Sequence, residues 1–359
     1  MRIGIPKETK DHEYRVALTP EGARRLVEAG HGVSLEAGAG AAVGYADTAY
    51  RAAGASLVDA AEAWSADLVV KVKEPQPDEI AHLRGGQLLF CYLHLAAAPQ
   101  LARDLMARGV TAIAYETVSD AAGRLPLLAP MSDIAGRLAP QMGALGLHKT
   151  HGGNGKLIGG LPGVAPAHVV VLGAGVVGLG AARVAAGLGA RVTLLDRLAD
   201  KLAHAETLPG ARVFTRFSSP ETIAACLADA DVVVGAAQIP GRHAPRLIPL
   251  DLLRRMPQGS VLVDVSIDQG GIAETSRPTT HSAPFFVAEG VVHYCVTNMP
   301  GAVARTATEA LTHATLPYVL ALAGHGLAAL DRDPGLKAGL HVQAGRIAHA
   351  GLAEDLAGR

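Results

Sequence analysis

The sequence predicts an α/β chain with two parallel sheets, in which one domain is inserted between two parts of another. Three observations lead there. The 359 residues suffice for two domains of ordinary size. Short apolar runs alternate with helix-like stretches through the first third, the pattern of a parallel sheet covered by helices. A second series of the same kind begins at Val169, after a glycine-rich segment, and the chain turns helical again beyond Asn298.

Arg2–Ile5 reads as the first strand. A helix starts at Thr19-Pro20-Glu21, with Thr19 as N-cap and Pro20 at the first helical position, where its missing N–H costs nothing. It runs to Ala29 and stops at Gly30. His31–Leu35, Ala66–Val72 and Gln87–Leu93 are further strands, each followed by proline or small residues. Near Pro130 the character changes. Ser132 reads as an N-cap with Asp133 in the first turn, and Ile134, Leu138, Met142 and Leu145 are the apolar positions of a helix that bridges two domains. The second series has strands at His168–Leu172, Arg191–Leu195, Asp231–Val234 and Val261–Ile267. A last helix covers Thr308 to Ala323, with a kink before Pro317. The resulting division is 1–128, 129–304 and 305–359, the last segment returning as helix to the first domain.

Composition excludes several classes. Apolar residues make up 49% and charged residues 18%, so the chain is not disordered. Lys+Arg number 32 against 33 Asp+Glu, without the basic surplus that nucleic-acid binding needs. Cys91, Cys226 and Cys295 are far apart and form no CxxC, which excludes a disulfide scaffold or a cysteine zinc site and fits a reducing cytoplasm. No secretory apolar region precedes Pro6. Val171 to Ala190 has the length of a membrane span, but its six glycines and Arg183 read as a glycine-rich turn entering a soluble helix. His148 and His151 lie three apart at a helix end. Fifteen histidines make such pairs commonplace, and no metal is expected.

Val169-Val-Val-Leu-Gly173-Ala-Gly175-Val-Val-Gly178 is a GxGxxG directly after an apolar strand and before an alanine-rich helix. Gly173 makes the tight turn, Gly175 lets a pyrophosphate approach the backbone, and Gly178 lets the helix pack against the strand. The phosphates then face free N–H groups at a helix N-terminus. Asp196 ends the next strand at the distance expected of a ribose-binding carboxylate. A carboxylate there accepts from the ribose 2′-OH and repels a 2′-phosphate, so NAD is expected rather than NADP. Arg197 beside it is of the type that could accept such a phosphate and blurs that preference; its bland reading is a solvated side chain.

Three apolar strands lead into a titratable group: Leu68–Val72 into Lys73, Gln87–Leu93 into His94, and Ser260–Ile267 into Asp268. In open parallel sheets ligands bind outside the carboxyl ends of strands. These groups suit redox chemistry between an amine and a carbonyl. A cation holds the acid group of a small substrate, an imidazole moves protons, and a carboxylate orients water or ammonia. The bland alternatives are a solvated lysine, a core histidine and a turn aspartate. Arg15, in the loop before the Thr19 cap, is the right type for bidentate carboxylate binding. Tyr92, Leu128 and Met131 are candidate pocket walls or plain core.

These residues fall in motifs that resemble the alanine dehydrogenase family. Met1-Arg-Ile-Gly-Ile-Pro-Lys-Glu-Thr, Glu13-Tyr-Arg15-Val-Ala-Leu-Thr-Pro20, Lys71-Val-Lys73-Glu-Pro, Leu93-His94-Leu-Ala-Ala and Leu128-Ala-Pro-Met131-Ser132 carry the likeness in the first part. The GxGxxG, Val263-Asp-Val-Ser-Ile-Asp268-Gln-Gly-Gly-Ile, Arg277-Pro-Thr-Thr280 and Val296-Thr-Asn298-Met-Pro continue it in family order over nearly the whole chain. The resemblance implies two Rossmann-like domains, the NAD domain inserted in the substrate domain, a homohexamer, and NAD-dependent oxidative deamination of L-alanine to pyruvate and ammonia with its reverse. Arg15 and Lys73 match the family's substrate-binding positions, His94 its proton donor and acceptor, and Asp268 its second catalytic residue. Ser132, Val176, Val177, Asp196, Lys201, Ser218, Ala237, Gln238, Val265, Ser266, Ile267, Asp268, Arg277, Val296, Thr297, Asn298 and Met299 fall at its NAD contacts. The chain departs from the family's usual form over Gly235–His243, including Gln238 and Arg242, and at Asp133 and Arg197. These departures bear on the cofactor's rim.

The implied mechanism places the substrate carboxylate near Arg15 and Lys73. Hydride passes from Cα to the nicotinamide, His94 moves a proton, and Asp268 places the water that attacks the imine. All four side chains are expected around one cleft. The alternatives are the NAD-binding subunit of a proton-translocating transhydrogenase, which shares the opening motif, and a non-catalytic NAD-sensing protein.

Overall fold

The structure is a computed structural model and describes residues 1–208, 213–237 and 243–357. The chain forms two compact units, Met1–Met131 with Gly301–Arg359, and Ser132–Pro300.

The first unit begins with β1 (Arg2–Ile5), β2 (Gly32–Glu36), β3 (Ser56–Val58), β4 (Leu68–Val70), β5 (Leu88–Cys91) and β6 (Thr111–Ala114). They pair in parallel in the order β3-β2-β1-β4-β5-β6. The order of succession reverses between β1 and β4, the place where such sheets open a crevice at their carboxyl ends. β4, β5 and β6 are buried along their whole length, as parallel strands covered on both faces must be. Val69, Leu89 and Ala112 pack with Leu83, Leu105 and Trp64 in one core; each leucine so buried contributes about 2 kcal/mol. Gly4 in β1 is required by close approach: a Cβ there would lie 1.9 Å from the Ala63 carbonyl oxygen. The helix Pro20–Glu28 starts where the sequence indicates, with the Thr19 hydroxyl accepting from Gly22 N at 3.1 Å.

The second unit holds β7 (His168–Leu172), β8 (Arg191–Asp196), β9 (Val213–Phe217), β10 (Val232–Gly235), β11 (Val261–Asp264), β12 (Phe285–Ala288) and β13 (Val291–Tyr294). Its sheet runs β12-β13-β11-β10-β7-β8-β9, parallel except for β12 at the edge. The switch point falls between β7 and β10. Val170, Leu172, Leu195, Val233 and Leu262 pack with Ile223, Leu227 and Leu253 on one side of it. Both units are therefore Rossmann-like, with the same strand succession.

Beyond the second unit comes the helix Ala304–His325, and then β14 (Leu340–Gln343) and β15 (Arg346–Ile347) extend the first sheet beside β6, antiparallel. The tail thus returns as strand as well as helix. Among the described residues, no helix is long and apolar enough to cross a membrane. The three cysteines are buried and free.

Four local expectations need correction. The helix taken to begin at Ser132 spans Ala129–Gly146, so Ser132 lies inside it and caps nothing; Pro130 reads as a break but is tolerated in a first helical turn. The strand drawn to Ile267 ends at Asp264, where the Asp264 carboxylate accepts from Ser266 N at 3.1 Å and turns the chain into a 3-10 helix over Val265–Gln269. The last helix is longer than drawn and continues through Pro317. His148 and His151 stand beyond a helix end, flanking or within the 3-10 turn Lys149–His151.

Candidate active site

In the first unit the loop after β1 carries Arg15, the segment after β4 carries Lys73, and the segment after β5 carries His94. β1, β4 and β5 are neighbours, so all three residues issue from the carboxyl ends of adjacent strands. Tyr92 links them. Its ring stacks on that of His94, with centroids 5.8 Å apart and planes 6° from parallel. Lys73 Nζ stands 5.8 Å from the same ring. The phenol is buried and donates to the Leu127 carbonyl at 2.5 Å. Burial raises the Tyr92 pKa, although the charge of Arg15 pulls the other way.

Arg15 is buried and held on three sides. Its Nε and Nη2 donate to the Glu13 carboxylate at 2.6 and 2.5 Å, and Nη1 reaches Met131 Sδ at 3.0 Å. Burial alone would favour loss of the guanidinium charge; the Glu13 pair overrides it and leaves the pKa above its ordinary value. Met131 is therefore a neighbour of the candidate carboxylate clamp, while Leu128 is half-buried.

Lys73 is held in place by charges that the sequence reading missed. Lys71, two residues earlier, is fully buried, with Nζ 3.0 Å from Glu79 Oε1 and 3.4 Å from Glu8 Oε2. Glu8 also accepts from Val72 N at 2.7 Å and Lys73 N at 3.4 Å. This network ties the segment after β1 to the segment after β4. Burial would push Lys71 toward neutrality, but Glu8 and Glu79 keep its pKa raised. A signal was present: a lysine inside an apolar run needs a buried partner.

The second unit collects its candidate residues from the carboxyl ends of six strands. Gly173 to Gly178 follow β7, Asp196 ends β8, Ser218 follows β9, Ala237 follows β10, Val265 to Asp268 follow β11, and Val296 to Met299 follow β13. The three glycines have different reasons to be there. A Cβ on Gly173, whose φ is +109°, would lie 2.7 Å from the Ala236 carbonyl oxygen, and one on Gly178 would lie 1.7 Å from that of Gly173. A Cβ on Gly175 would meet no protein atom within 4 Å. The fold demands the first and third glycines, while the second leaves open space against the turn, where a pyrophosphate can approach the backbone. Gly175 is also the N-cap of the helix Val176–Gly187, so backbone donors face that space. The residues present therefore fit a dinucleotide pyrophosphate.

Asp196 is half-buried and accepts from Ala174 N at 2.7 Å and Leu198 N at 3.0 Å. It braces the glycine turn from the end of the neighbouring strand. Arg197 and Lys201 are exposed. Ser218 N donates to the Asp196 carbonyl. Ser266 Oγ donates to the Ala237 carbonyl at 2.9 Å, which joins the ends of β10 and β11. Asp268 is exposed on the 3-10 turn, while Ile267 is buried beneath it. Asp264, which the sequence reading passed over, accepts from Ile272 N at 2.8 Å and Ser276 Oγ at 2.6 Å and so fixes both ends of the loop that carries Asp268. Arg277 lies over the Phe286 ring at 4.2 Å. Val296 and Met299 are buried, Thr297 is half-buried, and the Asn298 carbonyl meets His281 Nε2 at 3.2 Å. Gln238 and Arg242 lie outside the described residues.

Comparison with known proteins gives these geometries a context. Residues 4–135 match the family model described as alanine dehydrogenase/PNT, N-terminal domain, and residues 139–350 match its C-terminal domain. An alanine dehydrogenase of Halomonas elongata is 54% identical over 357 residues, 99% of this chain and 96% of that one. A solved structure titled L-alanine dehydrogenase superposes with a TM-score of 0.96 at 52% identity, covering 100% of this chain and 99% of the other. A transhydrogenase from Sinorhizobium meliloti superposes with a TM-score of 0.83 at 26% identity, covering 98% and 99%.

Proposed function

This chain belongs to the alanine dehydrogenase/PNT family, and we propose that it catalyses the NAD-dependent oxidative deamination of L-alanine, with reductive amination as the reverse. In the forward direction L-alanine, NAD and water give pyruvate, ammonium and NADH with release of a proton. The observation that carries the cofactor is the GxGxxG turn after β7, where Gly175 caps the helix Val176–Gly187 and leaves open space at its N-terminus. What supports the substrate is the whole-chain similarity to alanine dehydrogenases, about twice the identity to the transhydrogenase, so the dehydrogenase reading is favoured over the alternatives.

Bound NAD supplies the acceptor for the hydride of the substrate Cα. The chain's own residues do the rest. Lys73 and Arg15 hold the substrate carboxylate, Arg15 sharing its guanidinium with Glu13. His94 takes and returns a proton at the substrate nitrogen or oxygen. Asp268 orients the water that adds to the imine. The first unit is the substrate domain and the second the NAD domain. Gly173, Gly175 and Gly178 with Val176 and Val177 form the pyrophosphate cradle, and Asp196 receives the ribose hydroxyls. Ser132, Lys201, Ser218, Ala237, Gln238, Arg277 and the segments Val265–Asp268 and Val296–Met299 complete the cofactor contacts. The protein works in the cytoplasm as a homohexamer; the motif resemblance supports the assembly, and free buried cysteines are in keeping with a reducing compartment.

The test is spectrophotometric. NADH should appear when L-alanine and NAD are mixed with the protein, and far more slowly with NADP. His94→Ala and Asp268→Asn should each lower turnover on the order of 10²-fold, the range for lost acid–base assistance. Absence of NADH with L-alanine sinks the function, and near-normal turnover in either variant removes that residue from the mechanism.

A further inference from the structure

We propose that Glu116 is a positioning residue for His94, its carboxylate holding the backbone conformation from which the imidazole acts. The inference rests on the reading of His94 as the group that moves the proton. β5 follows its neighbours as far as Val70↔Phe90 and Cys91↔Ala114, and Tyr92 N still reaches the Val72 carbonyl at 3.0 Å. The next two N–H groups turn away from the sheet to Glu116. His94 N donates to Oε1 at 2.7 Å, and Leu93 N donates to Oε1 and Oε2 at 3.3 and 3.2 Å. Hydrogen bonds to a carboxylate are stronger than neutral ones.

That clamp coincides with backbone strain. His94 has φ +48°, in the left-handed region that disfavours a residue with a Cβ. Such a residue persists only where its surroundings hold it, and these residues cluster at working sites. The His94 carbonyl accepts from Ala97 N at 3.0 Å, so both flanking peptides are pinned. The result is an exposed ring laid flat on Tyr92, rather than one continuing the alternation of the strand.

Glu116 is itself fixed by the C-terminal return. It sits in the 3-10 turn Tyr115–Thr117, directly after β6. β14 pairs with β6, Ala114 N donates to the Gly339 carbonyl at 2.7 Å, and Thr117 Oγ1 shares a hydrogen bond with His341 Nε2 at 2.9 Å. A segment far along the chain therefore braces both sides of the turn that presents Glu116 to His94.

The experiment is a double-mutant cycle on the full chain. Glu116→Ala should lower kcat on the order of 10- to 100-fold, the scale for misplacing a reacting group. KM for L-alanine and NADH affinity should stay within about threefold. Glu116→Gln, which keeps an acceptor oxygen, should lose less. In a His94→Ala background, Glu116→Ala should cost nothing further, because its effect passes through His94. If Glu116→Ala does not fold, Glu116→Asp keeps the charge, shortens the reach and should show the same pattern. Losses that multiply across the two sites, or an unchanged kcat in the single variant, overturn the proposal. A His94→Ala enzyme as fast as wild type overturns the reading of His94 and the positioning role with it, and that single variant separates the two failures.

Discussion

Gly175 and Gly178 stand three residues apart in one turn, yet alanine at the two positions should fail for opposite reasons. At Gly178 the new Cβ would lie 1.7 Å from the Gly173 carbonyl oxygen, a backbone atom that cannot rotate away. The helix Val176–Gly187 would have to shift from β7, and the expected loss of stability exceeds about 3 kcal/mol, in the range of severe core overpacking. At Gly175 the backbone has φ −79° and ψ −168°, extended geometry that alanine adopts freely. Stiffening the unfolded chain is worth roughly 0.4–1 kcal/mol, and alanine is a poorer N-cap by a similar amount. The net change in stability should be under about 1 kcal/mol. The added methyl occupies the space assigned to the pyrophosphate, and crowding by a methyl of about 1–3 kcal/mol weakens binding by roughly 5- to 150-fold. Urea unfolding and NADH fluorescence titration on both variants measure the two effects. A Gly175→Ala protein that folds normally and binds NADH within twofold of wild type would refute the cradle.

Other perturbations report on neighbouring parts. Lys71→Met leaves Glu8 and Glu79 buried without their cation, and should destabilise the protein by about 3–5 kcal/mol, read as a lower midpoint of urea unfolding. Asp196→Asn keeps an acceptor for Ala174 N, gives up the one for Leu198 N, and removes the charge proposed to repel a 2′-phosphate; kcat/KM for NADP relative to NAD should rise about tenfold or more, equivalent to roughly 1.4 kcal/mol. His341 is buried, and burial brings its pKa down from 6.5 to about 4, with Glu116 opposing and His349 and His94 adding to the drop. The unfolded chain then binds the proton more readily, so stability falls as pH drops below about 6.5, by roughly 3 kcal/mol once pH reaches about 4. His341→Gln should flatten that acid-side slope in urea midpoints; an unchanged slope would remove His341 as its source.

Much of this was legible locally. The Thr19 cap, the GxGxxG turn and Asp196 each announce themselves within a few residues, because a cap, a turn and a strand end are local objects. Lys73 and His94 could be placed at strand ends from the apolar runs before them. What escaped was nonlocal. Glu116 carries no signature beside it, and its role depends on β5 and β6 lying side by side. Glu8 and Glu79 matter through Lys71, and Asp264 through a loop that returns to it at Ile272 and Ser276. Short strands such as β3 and β6, of three and four residues, were too brief to show a period. Ser132 was misplaced because a proline reads as a break even where a first turn accepts it.

The most direct test of the reaction follows the fate of one hydrogen. L-Alanine carrying deuterium at Cα is incubated with the protein and NAD, and the reduced dinucleotide is analysed by mass. The expected result is NADH that carries the label, formed together with pyruvate. NADH without deuterium, or none at all, would contradict direct hydride transfer from alanine by this chain.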